Sequence, residues 1–239
     1  MALDPKKYYD KYWVMGGRAR REARSRERAL LTLDLLRSGG VRNGRLLDVG
    51  CGPGWALEVF KAAGYETVGV DASSVALEDA RSRGLDVRGL DLERDDPALA
   101  LGPEARFSAV VSLEVLEHLV HPLGLLQKLR GLLAQGGLLV VSLPNEITLP
   151  ARLRVLIGKL PFGGHDDPHL RHFDRARALA LFDSARLRVT GERRVSLFPV
   201  QWQTLRALTR PLLRLCPGAL ALATVFLLEV REPQETDAK

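Results

Sequence analysis

Leu46-Leu47-Asp48-Val49-Gly50-Cys51-Gly52-Pro53-Gly54, running into Trp55-Ala56-Leu57-Glu58-Val59-Phe60, is the stretch on which the fold turns. An apolar run ends in an acid, a glycine loop follows, and a helical pattern begins. This reads as strand, tight turn, helix. Glycine lets the backbone approach a ligand where any Cβ would collide. The helix N-terminus presents unsatisfied N–H groups at the same place. The spacing is Gly-x-Gly-x-Gly, so it is neither the Gly-x-Gly-x-x-Gly of dinucleotide binders nor, lacking Lys-Ser/Thr, a phosphate loop.

The pattern repeats downstream. Glu66 to Asp71 reads as a second strand ending in an acid, where doubly wound nucleotide folds grip ribose hydroxyls. Ser73 caps the next helix. Leu85 to Leu92 reads as a third strand, Phe107 to Ser112 as a fourth, and Gly137 to Leu143 as a fifth, with a helix from Leu123 to Ala134 before it. Asp174 caps a helix to Ala185, Leu187 to Leu197 is a sixth strand, and Thr224 to Arg231 the last. Apolar strands alternating with helices predict a doubly wound α/β sheet. Ligands bind such sheets at the C-terminal strand ends, where Gly50, Asp71, Asp91, Glu114 and Asn145 all fall.

The acid-terminated strand with Gly-x-Gly-x-Gly resembles motif I of the class I S-adenosylmethionine (SAM) methyltransferases, over residues 44–197 and more weakly the last strand. The resemblance implies a Rossmann-like sheet of seven strands, mostly parallel, with helices on both faces and the last strand antiparallel between the fifth and sixth. It also implies SAM as cofactor. Asp48, Gly50, Cys51, Gly52 and Gly54 would form the loop on its methionine side, Asp71 with Ala72 would take the ribose, and Asp91 with Leu92 the adenine. Leu113 completes the cofactor set, and Glu114 and His118 face the transfer site as catalytic candidates.

Methyl transfer needs alignment and exclusion of water, and a hydroxyl acceptor must also lose its proton. All five histidines, His118, His121, His165, His169 and His172, lie between residues 118 and 172, on the substrate side of the expected cleft. His118, directly after the fourth strand, is the candidate base, against the plainer reading that it packs its helix. Glu114, Glu117 and His118 stand at i, i+3 and i+4, one face of a helix. This Glu-x-x-Glu-His resembles the ubiquinone-pathway O-methyltransferases and the small-RNA 3′-terminal 2′-O-methyltransferases, which hold a metal with such a group and a downstream histidine. Many methyltransferases of the broad type-11 and type-23 families carry the motif without a known metal, so no metal is assigned, and a divalent cation stays the less favoured alternative.

Residues 1–43 read as an aromatic and basic arm and helix, and 44–239 as the methyltransferase domain, with inserts at 146–173 and 199–221. The aromatic run Tyr8 to Trp13 either closes over the cofactor, as similar arms do in class I methyltransferases, or pins the arm to the core. The arginines from Arg18 to Arg28 read as a solvated helix face, since no aromatics interleave them for nucleic-acid contact. The formal net charge of +6 is uneven: residues 1–45 hold twelve Lys/Arg against five Asp/Glu, and residues 46–145 hold eight against fourteen. Two cysteines far apart give no disulfide framework. Met1 to Trp13 carries no apolar signal core, so the expectation is a cytoplasmic enzyme. The favoured acceptor is a hydroxyl on a small molecule, phenolic or lipid-linked. The alternatives are an RNA 2′-O-methyltransferase and a non-catalytic SAM-binding partner protein. Nucleic acid is not favoured, membrane contact is at most peripheral, and the chain is taken as monomer or homodimer.

Overall fold

The computed structural model describes residues 5–102, 104–161, 169–198 and 202–231. His165 and the tail from Glu232 lie outside the described residues, as do 199–201 at the start of the second insert.

Seven strands form one sheet: β1 (Gly44–Val49), β2 (Tyr65–Asp71), β3 (Val87–Gly89), β4 (Phe107–Leu113), β5 (Leu133–Pro144), β6 (Leu187–Ser196) and β7 (Ala221–Val230), in the order β3-β2-β1-β4-β5-β7-β6. The first five are parallel, and β7 runs antiparallel between β5 and β6. This is the expected topology. The period of two explains why the strands are apolar throughout. Leu47, Val49, Val68 and Val70 face one core, while Leu46, Ala109, Val111 and Val140 face the other. The first core is closed by α6 (Pro122–Gly131) and α8 (Arg175–Ser184), the second by α2 (Arg18–Ser38) and α3 (Trp55–Ala62). The remaining helices are α1 (Pro5–Val14), α4 (Ser74–Ser82), α5 (Pro97–Leu101), α7 (Leu149–Leu156), α9 (Gln203–Leu215) and α10 (Pro217–Leu220). The Ser73 and Asp174 caps form as read, accepting from Ala76 N and Arg177 N.

Three expectations need correction. The third strand is only three residues long, because it is the sheet edge with β2 as its sole neighbour. The helix before β5 stops at Gly131, and β5 starts at Leu133, which pairs with Phe107 before a bulge re-enters the ladder at Leu138, with Gly136 left-handed (φ 71°). Within the segment read as arm and helix, α1 is separate, and α2 is one helix of 21 residues whose C-terminal half carries buried Leu33, Leu35 and Leu36. Glu114 does not open a helix. It takes a left-handed conformation (φ 57°), and the chain then makes a 3₁₀ turn, Leu116–His118. The one-face spacing read for Glu114, Glu117 and His118 is therefore not realised.

Candidate active site

The C-terminal ends of β1, β2 and β4 surround a cavity of about 550 Å³, within the range of small-molecule sites. A larger depression of about 970 Å³ follows the outer edge of β6 under α8, away from these strand ends.

The glycine turn is held to the sheet by Gly50 N and Cys51 N, which both donate to Val70 O at 2.8 and 3.0 Å. Gly50, Gly52 and Gly54 all have positive φ, which favours glycine. At Gly52 (φ 53°) space is limiting as well: a Cβ would lie 2.7 Å from the Trp13 ring. The turn then feeds α3 without a side-chain cap, the left-handed Gly54 serving as N-cap.

Acidic groups converge beside this turn. The carboxylate of Asp71 accepts Gly52 N–H on one oxygen and Ser73 N–H on the other, both at 2.8 Å. Burial raises its pKa, while those backbone donors oppose the rise. Asp48, 2% exposed, is pushed up to about 7 by burial and then by the Asp71 charge. Burial likewise raises the Cys51 thiol, followed by the charges of Asp71 and Asp48. Asp91 closes a local turn, accepting Glu93 N–H, and its own N–H donates to Asp95.

The opposite wall is built after β4. Glu114 donates its N–H to Ser142 O, and its carboxylate is taken up by Arg28 Nη2 at 2.9 Å and Ser142 Oγ at 2.7 Å. Three residues on, Glu117 is fully buried and neither carboxylate oxygen has a hydrogen-bond partner among the described residues. Burial, then the charge of Glu114, holds its pKa well above the usual carboxylate range. The Glu117 carbonyl accepts Leu170 N–H and Arg171 N–H, which ties the segment after the first insert to the 3₁₀ turn and delivers His169. Ligand atoms of Glu117, His118 and His169 lie within 4.8 Å of one another. Glu146 accepts from Nδ1 of His169 at 2.9 Å and of His172 at 2.6 Å.

The roof comes from the N-terminal helices. Asp10 of α1 accepts from Ser73 Oγ and Val75 N, tying α1 to the start of α4. Trp13 then stacks edge-on against Trp55 over the glycine turn, and Tyr9 meets His118 at 5.8 Å between ring centroids. Burial and then the Glu117 charge raise the Tyr9 hydroxyl's pKa. Arg21 lies over Tyr12 and Trp13. Arg24 is held by Glu27 and by Ser196 O and Leu197 O, and with Arg21 and Arg28 it lines the cavity. Arg21, Arg24, Arg26 and Arg28 are therefore a part-buried wall, while Arg18 and Arg20 are exposed as the solvated-face reading has them.

The structure brings together in the cavity wall Asp48, Gly50, Cys51, Asp71, Ala72, Asp91, Leu92, Leu113, Glu114 and His118. Gly52 and Gly54 lie behind it, shaping the turn under Trp13 and against Leu85. Tyr9, Arg24, Arg28 and His169 were not among the expected site residues. The spacing Arg21, Arg24, Arg28, Thr32, Leu35, which runs the buried face of α2 back into the arginines, carries the signal for two of them.

This sheet order, with a glycine turn after β1 and an acid ending β2 on one cavity, is the architecture of class I methyltransferases. The chain belongs to the type-23 methyltransferase-domain family, whose family model matches residues 18–190. It is 34% identical to a ubiquinone biosynthesis O-methyltransferase of Alkalilimnicola ehrlichii over 54% of this chain and 55% of that protein. It is 37% identical to one of Cereibacter sphaeroides over 51% and 52%. The chain thus spans about half the length of these curated relatives. In fold it resembles the crystal structure of magnesium protoporphyrin IX methyltransferase from Synechocystis with bound SAH (TM-score 0.62, 15% identity, 96% of this chain and 95% of that one). It also resembles a SAM-dependent methyltransferase from Clostridium acetobutylicum (TM-score 0.59, 12% identity, 85% and 91%).

Proposed function

We propose that the protein transfers the methyl group of SAM to a hydroxyl of a small molecule, phenolic or lipid-linked. The observation that carries this reading is that one cavity is lined both by the glycine turn with Asp48, Asp71 and Asp91 and by Glu117, His118 and His169, whose ligand atoms lie within 4.8 Å of one another. The names of the similar ubiquinone biosynthesis O-methyltransferases support a hydroxyl acceptor.

In this reading Gly50 and Cys51 pack against the methionine part of SAM. Asp71, held in place by the Gly52 and Ser73 bonds, takes the ribose hydroxyls. Asp91 and Leu92 border the adenine, with Ala72 and Leu113 beside them. His118 takes the acceptor's proton. Glu114 braces the wall through Arg28 and Ser142. The assay is transfer from labelled SAM to a panel of phenols, catechols and RNA. Methylated phenol is the expected product, and label found only in RNA, or bound SAM with no product, would reassign the acceptor or the activity. Asp71→Ala is expected to weaken SAM binding by about one to two decades, from the loss of charge-assisted bonds. Unchanged affinity by calorimetry would remove Asp71 from the ribose.

A second reading of the acceptor side is favoured by one observation: both oxygens of buried Glu117 lack a hydrogen-bond partner among the described residues, beside two imidazoles. Glu117, His118 and His169 would together suit a divalent cation, a set that differs from the sequence expectation by replacing Glu114 with His169. Such a cation would act as a Lewis acid on the hydroxyl oxygen and lower its pKa. Mn²⁺ titration followed by electron paramagnetic resonance tests it: binding is expected in the parent protein and lost in Glu117→Gln. Turnover unaffected by chelator, with no Mn²⁺ bound, leaves His118 acting alone as base.

A further inference from the structure

We propose that α7, with the residues after it, and α9 form a docking face for an anionic lipid surface, set beside the mouth of the cavity. Of nineteen large apolar side chains exposed among the described residues, seven fall in 147–160 and five in 202–215, so they are gathered rather than scattered. Leu156 and Leu160 are 80% and 73% exposed, and Leu208 and Leu215 are 70% and 78%. The two groups adjoin, because α10 packs against both α7 and α9. The Asn145 amide fixes α10 by donating to Gly218 O and Ala221 O.

Charge names the occupant. Residues 147–161 contain Arg152, Arg154 and Lys159 and no acid. Residues 202–215 contain Arg206, Arg210 and Arg214 and no acid, Arg206 being paired to Glu27. A solvated surface intersperses both signs, and the buried centre of a protein–protein interface is depleted of charge. Leucine interleaved with basic residues alone fits the interface of a membrane with anionic headgroups, where apolar groups enter the acyl boundary and cations meet phosphate. No described helix is long and apolar enough to cross a membrane, so the contact is a surface one.

The face is joined to the site on both flanks. β5 leads into α7 through Glu146, which holds His169 and His172. On the other flank Arg206 of α9 binds Glu27 at 2.6 Å, and Glu27 binds Arg24 of the cavity wall at 2.9 Å. An acceptor with a lipid chain would thereby reach the cavity without leaving the bilayer. That last step rests on the acceptor proposed above, whereas the docking itself does not.

The test is co-sedimentation of the full chain with phosphatidylcholine vesicles, with and without phosphatidylglycerol, at low and high salt. Binding is expected only with phosphatidylglycerol and is expected to weaken at high salt. The double variant L156E/L208E is expected to bind on the order of tenfold more weakly, with unchanged thermal unfolding and SAM affinity. No sedimentation with either vesicle, equal binding to neutral vesicles, or equal binding by the variant overturns the proposal. So does a dimer in analytical ultracentrifugation that the same variant dissociates, since the face then joins two copies. Vesicle binding is measured without methyl transfer, so failure of the proposed reaction leaves this result readable.

Discussion

His118→Asn is expected to lower kcat for methyl transfer to a phenol by about 10²–10³-fold, with SAM affinity largely unchanged. The magnitude follows from the acceptor. A phenol has a pKa near 10, so at pH 7 only about one molecule in 10³ is ionised. A group that removes the proton as the methyl moves recovers up to about that factor. His118 is placed for this: it lines the cavity, and its Nε2 is 3.9 Å from Glu117. Asparagine keeps the size and removes the base. Because hydroxide can replace the base, the deficit is expected to shrink as pH rises towards the phenol's own pKa. A pH profile of kcat from 6 to 10 checks this. A variant with parental turnover, or a deficit that is constant over the whole range, would show that His118 has no part in removing the proton.

The sheet was legible because its signal is local and repeated. The central parallel strands β1, β4 and β5 are buried on both faces and so read as apolar runs, and each turn carries its own punctuation, as at Gly50 to Gly54. The acids at the strand ends were legible for the same reason. What the sequence concealed depends on tertiary contacts. Glu114, Glu117 and His118 have helical spacing, but a left-handed Glu114 held by Arg28 and Ser142 breaks the helix before it starts. The third member of the cluster, His169, lies 51 residues beyond His118 in sequence and reaches it through the Glu117 carbonyl. The arginines of α2 look solvated one at a time. Arg21, Arg24, Arg26 and Arg28 are part-buried while Arg18 and Arg20 stay exposed, and the partners Glu114 of Arg28 and Glu58 of Arg26 come from two other segments.

Asp48→Asn is expected to flatten the fall in stability of the SAM-free protein between pH 4 and pH 8. Burial and the neighbouring Asp71 charge raise Asp48 from 3.8 to about 7 in the folded chain. The folded state therefore holds a proton that the unfolded state releases near pH 4. A group raised in this way makes its full contribution below the unfolded pKa and loses it as pH climbs through the folded one. A shift of about three units corresponds to about 4 kcal/mol over that interval. Asp71 and Glu117 are raised as well, so the variant removes one share of the slope and not all of it. Asparagine brings an amide that must find its own partners, at roughly 1–3 kcal/mol if it does not, so the gain at pH 8 is smaller than the change in slope. The comparison is therefore between slopes, from urea unfolding at several pH values. The same carboxylate bears on the cofactor. SAM carries a sulfonium and an ammonium against one carboxylate, and an ionised Asp48 in a low-dielectric wall favours that net positive charge. Binding of SAM should then displace the proton, so affinity is expected to rise with pH up to about 7 and level off. SAH lacks the sulfonium charge and should show the weaker dependence. In Asp48→Asn the difference between the two ligands should narrow. Equal pH dependence of SAM and SAH in the parent protein would mean that the Asp48 carboxylate does not sense the sulfonium, and its raised pKa would then be a property of the fold alone.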